Sequence, residues 1–488
     1  MAAAPITDSV RILFLVHNLA KTRHFESVIR GLTARRHTVV LAAARKRKPL
    51  KPTKSLHDDP RIEVITCPTR RVDRWVDIAT PLRSARDYLR FFDPRYARSG
   101  KLAARAAEYA PSGLASMLER RPALRRHWKL AQRMLALAET VLPPDRYFEL
   151  FLKAERADLL LVTPLVDFGS YQTDYVKAAH RSGVPVVFLP FSWDNLTNRG
   201  LVRVAPDRVL VWNDYQKAEA VDLHGVPADR VVVTGAPRFD DFFAMRPATT
   251  REAFCAGIGL PPGQPMVLYT CSSNFVAPRE VEFVRRWIAE LRKSPLPHLH
   301  DCGILVRPHP AHRQQWEAAD LADLPRVSLW LEKCEMNADQ GLYDSLYHAA
   351  AVVGLNTSAM IEAAIVGRPV FTIGTDEFAA GQQGTLHYRY LLTENGGILS
   401  SAASFDAHAR QLSAALAGDP EVGERSRRFV ERFVRPRGRE QNATTIMIDE
   451  IERVAKLRKH RARTPLWHYP VRWSLHAASR PALRRGHS

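Results

Sequence analysis

Two clusters in the second half of the chain carry side chains suited to holding phosphate. The first is Arg307-Pro308-His309-Pro310, which closes the apolar run Gly303-Ile304-Leu305-Val306. The flanking prolines restrict the backbone around His309 at the C-terminal end of a predicted buried strand, and open α/β sheets bind ligands at such ends. The second is Asn356-Thr357-Ser358, a polar turn between a strand at 351–354 and an amphipathic helix predicted to run to Gly367, with Pro369 opening the next strand. Unpaired N–H groups at a helix start favour negative charge, and the two hydroxyls add donors. Glu362 falls one turn further in, where a carboxylate can meet a sugar hydroxyl. Capping alone accounts for Thr357 and Ser358, and a solvated face for Glu362, if each motif is taken singly. Both motifs in one βαβ series point to a ligand that carries phosphate.

The elements that must position these groups are legible as two α/β series. In the first, the buried run 10–16, the turn His17-Asn18-Leu19-Ala20-Lys21-Thr22-Arg23, a helix, and the strand 38–43 make a βαβ start. That first turn has no G-x-G-x-x-G, which argues against a dinucleotide oxidoreductase. A third strand ends near Cys67, and residues 72–157 then read as a basic helical insert. The α/β pattern resumes at 157–164 and passes through Phe191-Ser192-Trp193-Asp194-Asn195. A proline- and glycine-containing stretch from Pro247 to Gly263 marks the domain boundary. The expected organisation is an N-terminal domain over 1–248, a second Rossmann-like domain over 262–403, helices over 404–460 and a basic tail over 461–488. No fixed-period repeat interrupts it.

Composition narrows the class. A chain of 488 residues with 46% hydrophobic content is folded and holds at least two domains. The five cysteines are scattered without C-x-x-C spacing, so neither a disulfide framework nor a zinc site is expected, and a reducing compartment follows. The first residues lack a basic leader, and the run 12–16 is too short for a signal peptide or a membrane span. The expected location is cytoplasmic, or peripheral at the inner face of the cell membrane. The net charge of +20 sits almost wholly in two blocks: residues 83–133 carry thirteen Lys/Arg against four acids, and residues 456–488 carry nine and none. With Trp75, Tyr88, Phe91, Phe92 and Tyr96 between the arginines of the insert, and Trp467, Tyr469 and Trp473 in the tail, the blocks suit an anionic membrane surface. They lie outside the α/β frame and contain no nucleic-acid-binding motif, so no specific nucleic acid is expected.

Taken together, the two halves, the string from Val233 to Phe242 before the linker, His309-Pro310 after a strand, and the string from Thr357 to Phe371 resemble the GT-B glycosyltransferases. Within them the sequence is most similar to the bacterial surface-polysaccharide group, which includes CDP-glycerol glycerophosphotransferase-like and polysialyltransferase-like enzymes. The resemblance covers about 10–45 and 158–460. It implies an α/β fold of two Rossmann-like domains facing a cleft, a nucleotide-sugar donor on the C-terminal domain, and a carbohydrate or lipid-linked acceptor. His309 would contact the donor phosphate beside Arg307, Asn356, Thr357 and Ser358, while Glu362 would meet the ribose. Gln382, Gln383 and His387 would lie near the donor sugar. The chain lacks Asp-x-Asp, the metal-diphosphate signature of the other major glycosyltransferase fold, so neither metal nor other cofactor is expected.

On the acceptor side, related enzymes place a histidine base where His24 falls, and an imidazole suits removal of a hydroxyl proton. Asp167 and Asp194 are rival bases, each equally at home as a turn residue. The expected reaction is glycosyl transfer in cell-surface polysaccharide or glycolipid synthesis. The alternative is polyol-phosphate transfer from a CDP-polyol on the same fold. A sugar-nucleotide epimerase, which usually carries an acidic pair after its glycines where this chain has the string from Asn356 to Ala364, and a non-enzymatic binding protein are lesser alternatives.

Overall fold

A computed structural model describes residues 9–44, 54–310, 313–319, 321, 323–331, 338–418, 421–457, 461 and 463–484. The chain divides into two compact units, Met1–Arg238 with Glu440–Ser488, and Phe239–Arg439.

The first unit is built on β1 (Arg11–Val16), β2 (Thr38–Ala44), β3 (Ile62–Cys67), β4 (Leu159–Thr163), β5 (Val186–Phe188), β6 (Arg208–Val211) and β7 (Val231–Val233). They form one parallel sheet in the order β3-β2-β1-β4-β5-β6-β7. The run Arg-Ile-Leu-Phe-Leu-Val forms a strand buried on both faces because helices cover both sides of a parallel sheet. Ile12, Phe14 and Val16 pack with Val28, Ile29 and Leu32 of the helix Glu26–Ala34 and with Met447, Ile448 and Ile451 of Ala443–Ala455. Leu13 and Leu15 face the other way, toward Tyr175, Val176 and Ala179 of Gln172–Ser182. Truncating a ring such as Phe14 to alanine would cost about 3–5 kcal/mol, transfer and cavity together.

The insert between β3 and β4 contains the helices Val76–Leu89, Gly100–Tyr109, Ser112–Arg120, Trp128–Val141 and Arg146–Ala154. Here the structure corrects the expectation of an interfacial aromatic belt. Trp75, Tyr88, Phe91 and Tyr96 are buried, and Arg83, Arg86 and Arg90 are buried with them. A buried guanidinium needs partners. Arg83 donates to Glu139 (2.9 Å) and Asp174 (2.7 Å), and Lys177 pairs with the same Glu139 at 3.2 Å. Burial alone would raise Glu139, but Arg83 and Lys177 outweigh it and hold its carboxyl down to about 2. Arg83 and Glu139 therefore tie the insert onto the helix Gln172–Ser182, while Arg121, Arg126, Lys129 and Arg133 face outward.

The second unit carries β8 (Met266–Thr270), β9 (Gly303–Arg307), β10 (Val327–Leu329), β11 (Ala351–Gly354), β12 (Val370–Ile373) and β13 (Leu399–Ala402). Its sheet is also parallel, in the order β10-β9-β8-β11-β12-β13. Gly354 is required where β11 meets β8, because a Cβ there would lie 2.8 Å from the Thr270 carbonyl oxygen. Of the C-terminal helices, Phe405–Leu416 and Glu421–Phe433 belong to this unit, and Ala443–Ala455 returns to the first.

Candidate functional site

Both sheets reverse strand order once, between β8 and β11 in the second unit and between β1 and β4 in the first. Chain segments leave in opposite directions at such a point and open a crevice at the strands' C-terminal ends, the usual ligand position in open α/β sheets.

In the second unit, the loops after β8 and β11 are tied together there. The Asn356 N–H donates to Ser272 Oγ at 3.2 Å, and the Asn356 side-chain amide donates to the Gly381 carbonyl at 2.7 Å. Ser272 is held in turn by Glu280, whose carboxyl accepts its N–H at 2.8 and 3.0 Å and the Tyr269 hydroxyl at 3.2 Å. Glu280 is fully buried, and that burial pushes its carboxyl up to about 8 against the opposing hydrogen bonds. Thr357 and Ser358 are half-buried, and among the described residues their hydroxyls make no hydrogen bond. Ser358 occupies the N-cap of Ala359–Ile365 without a side-chain capping bond. The hydroxyls are therefore not consumed by capping.

The expected helix is shorter and differently placed. It ends at Ile365, and every residue from Ala359 to Ala364 is buried, so it is a core helix and not an amphipathic one. Glu362 is buried within it instead of lying on a solvated face. Arg307 and His309 stand at the end of β9, which flanks β8 on the side away from β11, about 10 Å across the sheet from the Asn356 loop at ordinary strand spacing. Arg307 donates to the Gly341 carbonyl and Ser345 Oγ, both at 3.0 Å, and lies over the Trp330 ring. His309 is half-buried. Gln382 departs from its expected role: it is buried, and its amide nitrogen is spent on Leu355 and Ile373 carbonyls and Thr372 Oγ1. It props the loop from within; His387 is also buried, and Gln383 is exposed.

In the first unit the corresponding corner is charged. His17, the first residue after β1, pairs through Nδ1 with Asp167 at 3.1 Å, and Arg199 binds the other carboxylate oxygen. The chain after β4 is fixed by Gln172, which accepts the Leu165 N–H at 2.7 Å and donates to the Thr163 carbonyl at 2.9 Å. Burial would raise Asp167, but His17 and Arg199 prevail and hold its carboxyl below the usual range. Asp194 accepts from the side-chain amides of Asn198 at 3.2 Å and Asn195 at 3.4 Å.

His24 is buried, its ring 5.1 Å from that of Phe191. Burial first, then Arg238, Arg23 and Lys21, push it well below the ordinary histidine range, so it is neutral at physiological pH. Arg238 can only donate, at 3.0 Å to Nδ1, so the ring's single proton lies on Nε2. A ring in this state has no basic nitrogen to offer, which suits donation and not proton removal. His17 is the residue that sequence reasoning passed over. Its side chain is 51% exposed, with Nδ1 oriented by a carboxylate. Its position directly after the apolar run was the available signal.

A surface depression of ≈ 860 Å³ lies at the other end of the second sheet, before β8, β11 and β12. Its Arg251 is committed to the Pro262, Gln264 and His348 carbonyls, and none of the candidate residues lines it. The four described cysteines are all buried and free; Cys334 lies outside the described residues. Among the described residues, no three or more His, Cys, Asp or Glu side chains are grouped to hold a metal ion, and no helix is long and apolar enough to cross a membrane.

No protein-family model and no curated protein matches the chain. Solved structures do. A glycosyltransferase from Rickettsia africae superposes with a TM-score of 0.52 over 92% of this chain and 99% of its own, at 10% identity. The S. aureus protein MnaA, solved with UDP, gives 0.51 over 91% and 96% at 11% identity. The UDP-GlcNAc 2-epimerase from Methanocaldococcus jannaschii gives 0.50 over 91% and 99% at 10% identity. Identities this low speak of fold alone, and the fold shared with them is GT-B: two Rossmann-like domains, here with sheets of seven and six parallel strands.

Proposed function

We propose that this protein transfers a glycosyl group from a nucleotide-activated sugar to a hydroxyl of a carbohydrate or lipid-linked acceptor. The observation that carries the reading is the Asn356 N–H···Ser272 Oγ bond, which closes the crossing between β8 and β11 while the Thr357 and Ser358 hydroxyls stay uncommitted. Hydroxyls and backbone N–H groups at such a point match the charge that develops on a departing nucleoside diphosphate. His309 supplies an imidazole at the neighbouring strand end, and buried Glu362 is assigned to a ribose hydroxyl. With these donors the leaving group needs no metal, so activity should persist in chelator.

His17 is the base in this reading. Its Nε2 takes the proton as the acceptor oxygen bonds to the anomeric carbon and the bond to the diphosphate oxygen breaks. Asp167 holds Nδ1 and so fixes the tautomer, acting as a positioning residue and not as the base. Thermal-shift titration with UDP, GDP, CDP and CMP tests the donor site. A ligand at one hundred times its Kd stabilises by about 2.7 kcal/mol. Absence of any shift at millimolar nucleotide would sink the reading.

An acceptor carried on a lipid requires access to a membrane, and the tail suits that. The helix His468–Arg484 packs on Trp128–Val141, with Leu475 against the Trp75 cluster and Arg472 Nε donating to the Val141 carbonyl at 2.7 Å. Leu466, Trp467, Tyr469 and Trp473 remain exposed, as do Leu130, Met134 and Leu137, one stripe of the partner helix. Exposed Arg121, Arg126, Lys129 and Arg133 surround that stripe. Each cation near an anionic surface contributes about 1 kcal/mol. The full chain should co-sediment with phosphatidylglycerol vesicles at low salt and release on Trp467→Ala/Trp473→Ala; no binding to such vesicles would remove this surface from the account.

A further inference from the structure

The loops after β1, β4 and β5 gather more positive charge than their own carboxylates neutralise. Lys21, in the turn after β1, holds its ammonium 4.0 Å over the Phe191 ring. It is half-buried and, among the described residues, its ammonium makes no ion pair or hydrogen bond. The Arg199 guanidinium lies 5.3 Å from the same ring. Arg23 follows Lys21 by two residues, and Arg238 is fixed nearby on His24.

The carboxylates of this corner are already engaged, Asp167 by His17 and Arg199, Asp194 by the amides of Asn195 and Asn198. Burial, then Arg199 and Arg23, push the Lys21 ammonium down to about 8, with Asp194 and Asp167 opposing. One aromatic face attracts a cation, but two cations against a single ring repel each other in a partly dehydrated corner. The arrangement lacks a negative charge of its own.

We propose that Lys21, Arg199 and Phe191 form an anion site that receives a phosphate-class oxyanion carried by the acceptor. Several converging cations favour a multiply charged oxyanion over a single carboxylate, and the imidazole of His17 shares Asp167 with Arg199 at the same corner. The acceptor is then a phosphorylated glycan or a lipid phosphate. Assigning the anion to the acceptor rests on the transferase reading; the existence of the site does not.

The test reads Lys21 itself. The full chain is reductively methylated with ¹³C, and the Lys21 resonance is identified by its absence in Lys21→Met. Inorganic pyrophosphate should raise the Lys21 titration midpoint by about one unit or more, since a nearby opposite charge favours the charged amine. Acetate at equal concentration should move it less. Calorimetric pyrophosphate binding should weaken about tenfold in Lys21→Met and recover in Lys21→Arg. An unmoved Lys21 midpoint overturns the site even if nucleotides raise the melting temperature. A moved midpoint without any nucleotide shift keeps the site and removes the donor reading. An acetate response equal to that of pyrophosphate overturns the phosphate class.

Discussion

The crossing of β1 and β4 and the crossing of β8 and β11 occupy the same place in two sheets of the same topology, yet they are built from opposite chemistry. The first brings His17, Lys21, Asp167 and Arg199 to the strand ends, mostly as ion pairs open to one side. The second has hydroxyls, amides and backbone N–H groups, and its acid, Glu280, is sealed beneath Ser272. A charged corner can move a proton at little cost where its imidazole already leans on a carboxylate, as His17 does on Asp167. A neutral, pre-tied corner can receive an anion without first losing a counter-ion. The division matches what glycosyl transfer asks of an acceptor side and a donor side.

The largest effect should come from the charged corner. His17→Ala is expected to lower turnover about 10²- to 10⁴-fold, the usual contribution of a positioned base, with nucleotide affinity unchanged. His24→Ala should leave the chemical step within about tenfold, because the His24 ring has no basic nitrogen to offer. Single-turnover rates of the two variants decide between the histidines. If His24→Ala is the slower enzyme, the assignment of roles is reversed.

A smaller effect, on stability, should separate the neutral corner from the charged one. The Glu280 carboxyl titrates near 4.5 when unfolded and near 8 in the fold. Between those values the native state binds more protons than the unfolded chain, so stability present at acid pH is lost as pH rises through about 8. Glu280→Gln keeps an acceptor for the Ser272 N–H and removes the titration. The variant should flatten the decline between pH 5 and 8 and be the more stable protein at pH 8, by about 4 kcal/mol. Urea midpoints across that range measure it, and an unchanged pH slope in the variant would show that Glu280 does not titrate there.

Much of this contrast was legible in the sequence, and the parts that were not share a cause. Runs such as 10–16 and 303–307 announce buried parallel strands because their apolar residues need no partner beyond the sheet. The Asn356-Thr357-Ser358 turn was legible for the same local reason, lying between a strand and a helix. The arginines of the insert misled because burial of a guanidinium is decided by distant partners. Arg83 reaches Glu139 and Asp174, fifty-six and ninety-one residues away. His17 was passed over because a polar residue after a strand looks like any turn until Asp167, supplied by another strand end, stands beside it. Glu280 opens the helix Glu280–Lys293 and reads as an ordinary dipole-compensating acid, whereas the fold folds it under the β8 loop.

The smallest expected effect is the most discriminating for the neutral corner. A Ser or Thr that truly caps a helix costs about 1 kcal/mol of stability when cut to alanine. Ser358 makes no capping bond, so Ser358→Ala should leave the melting temperature of the free protein nearly unchanged. If its hydroxyl instead meets a donor phosphate, the same variant should bind the stabilising nucleotide about five- to tenfold more weakly, the worth of one hydrogen bond of about 1 kcal/mol. Thr357→Ala should behave alike, and Gln382→Ala should do the reverse, since its amide props the loop from inside. Melting curves with and without nucleotide read both quantities in one experiment. A Ser358→Ala variant that melts early and binds nucleotide normally would make this residue a cap after all, and would leave the second crossing with one fewer group to hold an anion.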